Sequence, residues 1–141
     1  MKYRTGDYIN IHPSIKVFGE LTKGNCPLED TVCQTLINQQ RKHFPSIMMF
    51  HIKNEGKRTA QQMQKEQSIG FIKGASDYCL VGQPMGFLEV KRANYSHKVK
   101  PEQERFLLQA QEKGAIVGVA LGSQGCVDFL KYWLDMQINK H

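Results

Sequence analysis

Residues 28–42 carry apolar side chains at helical spacing. Leu28, Val32, Leu36 and Ile37 fall on one face behind Pro27, and Glu29 and Asp30 occupy the first turn, where the helix dipole favours acids. Residues 45–53 (PSIMMFHIK) are nearly unbroken in apolar character and predict a buried strand. The polar, glutamine-rich stretch 59–68 predicts a short surface helix with Ala60 and Met63 facing inward. Two runs at 78–81 and 87–91 flank Gln83-Pro84-Met85-Gly86, which has turn chemistry, and together predict a hairpin. Helical spacing returns over 101–113, with Gln103, Phe106, Leu107 and Ala110 on one side, Pro101 at the first position and Gly114 as the stop. Residues 115–121 (AIVGVAL) are apolar throughout, as in a strand covered on both faces. Gly122-Ser123-Gln124-Gly125 reads as a turn, and 126–138 as a final helix burying Val127, Leu130, Leu134 and Ile138. Strands interleaved with helices predict an α/β fold, a central mixed sheet with helices on both faces.

Residues 1–27 follow neither period. Gly6, Pro13, Gly19, Gly24 and Pro27 interrupt them, yet Tyr8, Ile9, Ile11, Ile15, Val17 and Phe18 are too apolar for a disordered tail. The expectation is an N-terminal arm or small hairpin packed on the body or on a second subunit, with the main domain at 28–141.

The hairpin carries the candidate chemistry. Side chains alternate along a strand, so Phe87, Glu89 and Lys91 share a face, and pairing of the two strands can bring Asp77 beside them. Two converging carboxylates with a lysine two residues along suit a hard divalent cation and a hydrolytic water. An E-x-K triplet alone also fits an edge hairpin with solvated charges. The fuller pattern is Asp77, then E-x-K twelve residues on, then Pro101-Glu102-Gln103 opening a helix.

Charge adds a partner. Nineteen basic against thirteen acidic residues in 141 leave a net charge of +6 and a pI near 9.2, which favours a polyanion without implying catalysis. Cys26, Cys33, Cys79 and Cys126 show no zinc-ligand spacing and are expected to be reduced thiols. The first ten residues lack the apolar run of a signal peptide, and no stretch reaches the ~18 apolar residues of a membrane span. A cytoplasmic setting, bacterial or in a phage-infected cell, is expected.

Those hairpin and helix residues match the PD-(D/E)xK nuclease pattern, and within it the chain resembles the VRR-NUC (virus-type replication-repair nuclease) family over roughly residues 28–135. The resemblance implies a restriction-endonuclease-like core. It also implies metal-dependent hydrolysis of DNA phosphodiesters, with Asp77, Glu89, Lys91 and Gln103 catalytic and Mg²⁺ (or Mn²⁺) held by Glu29, Asp77, Glu89 and the Val90 carbonyl. Asp30 is a one-residue-shift rival to Glu29, whose bland role is to complement the helix dipole. Lys57, Arg58, Lys73, Arg92 and Lys100 become candidate phosphate contacts. His51 reads as a strand histidine, not a ligand. Two positions depart from the family pattern: Ser76 precedes Asp77 where a proline is usual, and Lys100 stands where a serine or threonine cap is usual.

Lys91 could act as a base or as a charge stabiliser. A lysine ordinarily titrates near ~10.4, so a base role requires burial or a neighbouring cation. Resemblance to junction-resolving members implies branched DNA as substrate and a homodimer as the working unit. A non-catalytic nucleic-acid-binding module on the same fold would explain the charge equally well, but gains nothing from carboxylates where phosphate must sit. An RNA-directed nuclease would use the same chemistry.

Overall fold

The computed structural model describes residues 3–52 and 58–138. Six strands form one sheet in the order β1-β2-β6-β5-β4-β3. In chain order, strand β1 is Arg4–Thr5, β2 Lys16–Phe18, helix α1 Glu29–His43, β3 Met49–His51, α2 Ala60–Ser68, β4 Tyr78–Leu80, β5 Gly86–Lys91, α3 Pro101–Glu112, β6 Ile116–Leu121 and α4 Gly122–Asp135. A 3-10 turn at Gly6–Ile9 links the first two strands. Strand β6 is parallel to both its neighbours, β2 and β5, whereas β4 runs antiparallel to β5 and β3 antiparallel to β4. The sheet is therefore mixed, as the pattern of elements predicted.

Period-2 alternation divides the core between the two faces. Leu88 and Val90 of β5, Tyr78 and Leu80 of β4 and Ala120 of β6 pack with Val32 and Leu36 of α1 and Phe129, Leu130 and Trp133 of α4. On the opposite face Val117, Val119 and Leu121 of β6 pack with Ile9, Ile15, Val17 and Leu107 of α3. Phe87 points to that second face and meets Phe106 edge-on, with ring centroids 5.3 Å apart. Glu89 and Lys91 alternate with Leu88 and Val90, so they too lie on the α3 face. The parallel β5–β6 pair needs a crossover, and α3 supplies it.

The chain ahead of α1, expected as an arm or hairpin, is woven into the sheet: β2 pairs with β6, and Ile15, Val17 and Phe18 are fully buried in this chain's own core. Strand β1 runs antiparallel to β2, and β2 joins this segment to the body through β6. Among the described residues of the run 45–53, the three of β3 belong to the sheet. They lie at its edge, paired to β4 alone, with Phe50 about half exposed, so the expectation of a buried strand is corrected. Helix α2 is capped as its sequence allows, Thr59 Oγ1 accepting from the Gln62 N–H and Gln62 Oε1 from the Thr59 N–H, and it buries no residue. No helix among the described residues is long and apolar enough to cross a membrane. All four cysteines are free.

The largest correction concerns 122–125. The two glycines read as a turn, but they open α4, which starts four residues earlier than expected. It buries Cys126, Phe129, Leu130 and Trp133 instead of a face containing Val127, Leu134 and Ile138. Glycine is there for proximity. A Cβ on Gly125 would lie 2.5 Å from the Phe18 carbonyl oxygen and 3.2 Å from the Gly19 Cα, so only hydrogen lets the first turn of α4 seat against the end of β2.

Two effects of Gly125→Ala oppose each other. Helix propensity favours alanine by about 1 kcal/mol, whereas forcing a methyl against backbone costs about 1–3 kcal/mol. The backbone contact is expected to win, so the variant should unfold at lower urea than the wild type. A raised midpoint would refute the close seating of α4 on β2.

Candidate active site

Asp77 lies one residue before β4. Tyr78 pairs with Leu88, and continuing that register sets Asp77 opposite Glu89. Its carboxylate is fixed by the main chain: Asp77 Oδ2 accepts the Val90 N–H at 2.6 Å. Glu89, in the middle of the sheet, is 2% exposed and Lys91 is 5% exposed. Glu89 Oε2 accepts from Gln103 Nε2 at 3.2 Å and lies 3.7 Å from the Lys91 ammonium. Glu89 Oε1 is buried with no hydrogen-bond partner. Gln103 is oriented in turn by the Lys100 N–H, which donates to its Oε1 at 2.8 Å across the first turn of α3.

A cavity of about 390 Å³ opens above these groups. Asp77, Glu89 and Gln103 line it, and Glu29 joins them from the first residue of α1. Lys91, His97, Lys98 and Lys100 line it as well, so acids and bases converge on one space. Gly74 helps close the site. With φ at +90° it brings the loop before Asp77 against α3, where a Cβ would lie 2.5 Å from the Glu102 carbonyl.

Crowding perturbs all three carboxyls. Burial pushes Glu89 well above the usual carboxylate range, the neighbouring Asp77 charge adds to this, and Lys91 draws it back. Asp77 is raised by burial, against the lowering effects of the Val90 N–H and of a proton shared with the neighbouring Glu89 carboxyl. Glu29 is raised by burial and then by Asp77, and Lys91 and His97 oppose this.

Among the described residues no three His, Cys, Asp or Glu side chains are gathered into a ready cage for a metal ion. The donor set nevertheless suits magnesium, which takes one or two carboxylates and keeps several waters. Asp77 and Glu89 face each other, Glu29 borders the same cavity, and Glu89 Oε1 lacks a donor. A cation would supply what that oxygen is missing.

The remaining sequence candidates lie elsewhere. Arg92 donates to the carbonyls of Pro27 at 3.2 Å and Cys26 at 2.8 Å, tying the approach to α1 to the end of β5. Arg58 pairs with Glu66 and lies over the Phe71 ring. Lys73 is exposed on the loop before Gly74. Val90 buries its side chain on the opposite face, while its main chain lies at the site, where its N–H meets Asp77. Lys57 lies outside the described residues.

Sequence reasoning missed three contributors. His51, at the end of β3, lines the cavity and rests against Tyr78 with centroids 5.2 Å apart. His97 and Lys98 reach it from the loop after β5, which turns at Tyr95 with φ at +53°. That left-handed tyrosine is held by its buried ring and by the Val99 N–H donating to its hydroxyl at 3.0 Å. The signal available was the basic run His97-Lys98-Val99-Lys100 between the E-x-K and the helix.

A mixed six-stranded sheet flanked by helices defines the class as α/β, with an acid–lysine cavity on its α3 face. A solved structure described as a VRR_NUC domain protein shares this fold, with a TM-score of 0.63 at 17% identity, covering 79% of this chain and 91% of that one. At that identity the likeness establishes the restriction-endonuclease-like architecture. No protein-family model matches the chain, and no curated protein matches it by sequence.

Carboxyls held above their ordinary values make the folded chain bind protons that the unfolded chain releases. Their favourable contribution is complete below the ordinary carboxyl range and is lost as pH rises through the native values. In EDTA, the melting temperature is therefore expected to gain from acidification toward about pH 4.5. Glu89→Gln should weaken this dependence and melt about 2–4 °C higher at neutral pH for each kcal/mol of relieved strain. An identical pH profile for the two proteins would show that Glu89 carries no such strain.

Proposed function

We propose that the protein is a metal-dependent nuclease that hydrolyses DNA phosphodiester bonds, with branched DNA as its substrate class. The observation that carries this reading is the buried Glu89, one oxygen without a donor, set opposite Asp77 in a cavity that is also lined by lysines. A binding surface for phosphate has no use for an acid in that position, whereas a metal-assisted hydrolase requires one.

Asp77, Glu89 and Glu29 would hold Mg²⁺, with Mn²⁺ able to substitute. Bound metal supplies polarisation of the scissile phosphate and a water more acidic than bulk. Gln103 keeps Glu89 in position while its own amide is fixed by Lys100. Lys91 places its Nζ 3.7 Å from Glu89 Oε2, where it would orient the attacking water and neutralise charge developing on the phosphate. Lys98 and Lys100 are suited to backbone phosphates flanking the cleaved bond. Cutting opposed strands of a junction calls for two such sites, which a homodimer would supply.

The test is cleavage of linear, flapped, forked and four-way-junction DNA with Mg²⁺, Mn²⁺ or EDTA. Wild-type protein is expected to cut the branched forms with either metal and not in EDTA. Glu89→Gln and Asp77→Asn should bind without cutting, and Lys91→Ala should lose about 10²–10³-fold in rate. Binding of DNA by the wild type without cleavage under any condition would leave a binding module on a nuclease fold. A monomeric mass by light scattering, persisting on a bound junction, would refute the dimer alone.

A further inference from the structure

Helix α1 carries a second polar feature beside the catalytic acids. Asp30, Gln34, Asn38 and Arg41 follow one another at intervals of four, four and three residues, which places them in a single row along the helix. The row borders a cavity of about 540 Å³ between α1 and the β3–β4 edge of the sheet, floored by Cys33, Ile37 and Tyr78. Glu29, His51 and Asp77 line both this cavity and the catalytic one, so the two are neighbours sharing a wall. The row from Asp30 to Arg41 is about 16 Å long at ~1.5 Å per residue. No ion pair among the described residues involves Arg41.

Away from its acidic end at Glu29, Asp30 and Asp77, the groove offers groups that match the parts of a nucleotide. The floor is neutral and half-buried to buried, and burial pushes the Cys33 thiol up to about 12, so it stays uncharged. Such a floor suits the flat face of a base. Side-chain amides donate and accept, matching base edges, and a guanidinium pairs with phosphate in a forked geometry. The surface is concave. Reading a stacked duplex requires an element that protrudes into a groove, whereas a recess admits bases splayed out of the stack. The cavity volume lies within the usual range for small-ligand sites, large enough for a nucleotide.

We propose that this groove binds unpaired nucleotides adjoining the scissile phosphate, with Gln34 and Asn38 on base edges and Arg41 on a neighbouring phosphate. The assignment rests on the catalytic reading of the Glu89 cavity and names what the substrate must offer there, a single strand emerging from a branch.

The test measures binding and not cutting. In the Glu89→Gln background, anisotropy of a fluorescent oligothymidylate and of a blunt duplex is followed against salt. Arg41→Ala should weaken single-strand binding and reduce its salt slope by about 0.7, the value for one phosphate contact on a single strand. Arg41→Lys should restore the slope, and duplex binding should be unaffected by either change. The Gln34→Ala, Asn38→Ala double variant should lose about tenfold in single-strand affinity at an unchanged slope. Unchanged single-strand binding, or equal losses for strand and duplex, would overturn the proposal. A lowered melting temperature for Arg41→Ala with an unchanged slope would also overturn it, leaving Arg41 as a complement to the α1 dipole. If wild-type protein cuts nothing while Arg41→Ala still loses single-strand binding, the nuclease reading falls and the groove stands.

Discussion

A carboxylate withdrawn from water in the middle of a sheet is costly unless polar or positive groups reach it. Glu89 is that group, and much of the architecture around it serves its second oxygen. Gln103 donates to Oε2 from the first turn of α3, Lys91 stands nearby from the same strand face, and Lys100 fixes Gln103. The first oxygen is left without a donor while Asp77 presses from the adjacent strand. The protein tolerates a destabilised pair of acids at the point where its chemistry would occur, a common exchange of stability for function.

Three elements must agree for that point to exist. The β4–β5 hairpin register sets Asp77 against Glu89, α3 delivers Gln103, and α1 delivers Glu29 at its first residue. Each is held by something remote from the chemistry. Gly74 allows the loop before Asp77 to lie against α3, and Arg92 ties the chain before α1 to the end of β5. Arg92 makes these contacts with its guanidinium, to the carbonyls of Cys26 and Pro27 just ahead of Glu29. Arg58, paired with Glu66, is likewise engaged within the chain. A basic residue near an active site in sequence is not thereby a basic residue facing it.

The two errors of element assignment have one cause. Apolar runs and glycines report what a segment is made of, whereas burial depends on what the rest of the chain places over it. The run containing Met48 and Phe50 is strand-like in composition, yet β3 has a partner on one side only and leaves those side chains outward. Gly122, with φ at +74°, does make a turn, but Gly125 looks like a turn residue only because a helix passing close to β2 needs the absence of a side chain as much as a turn does. A strand histidine such as His51 is ordinarily just that, and only the seating of β3 beside β4 brings it to the cavity of Asp77.

By itself the sequence determined the alternation in 87–91, and with it the fact that Glu89 and Lys91 share a face. It determined the α/β order of elements and a basic protein suited to a polyanion. Those are local or additive properties, set by the two-residue period of a strand, the 3.6-residue period of a helix and the sum of charges. Tertiary structure decided which face the acids share with α3, that residues 4–18 complete the sheet, and that Glu29 of α1 reaches the cavity of Asp77 and Glu89. It also decided that Glu89 is buried with one oxygen unanswered. These depend on contacts between residues far apart in the chain, for which one sequence carries no local signal, and desolvation is a property of the enclosing structure and not of the residue.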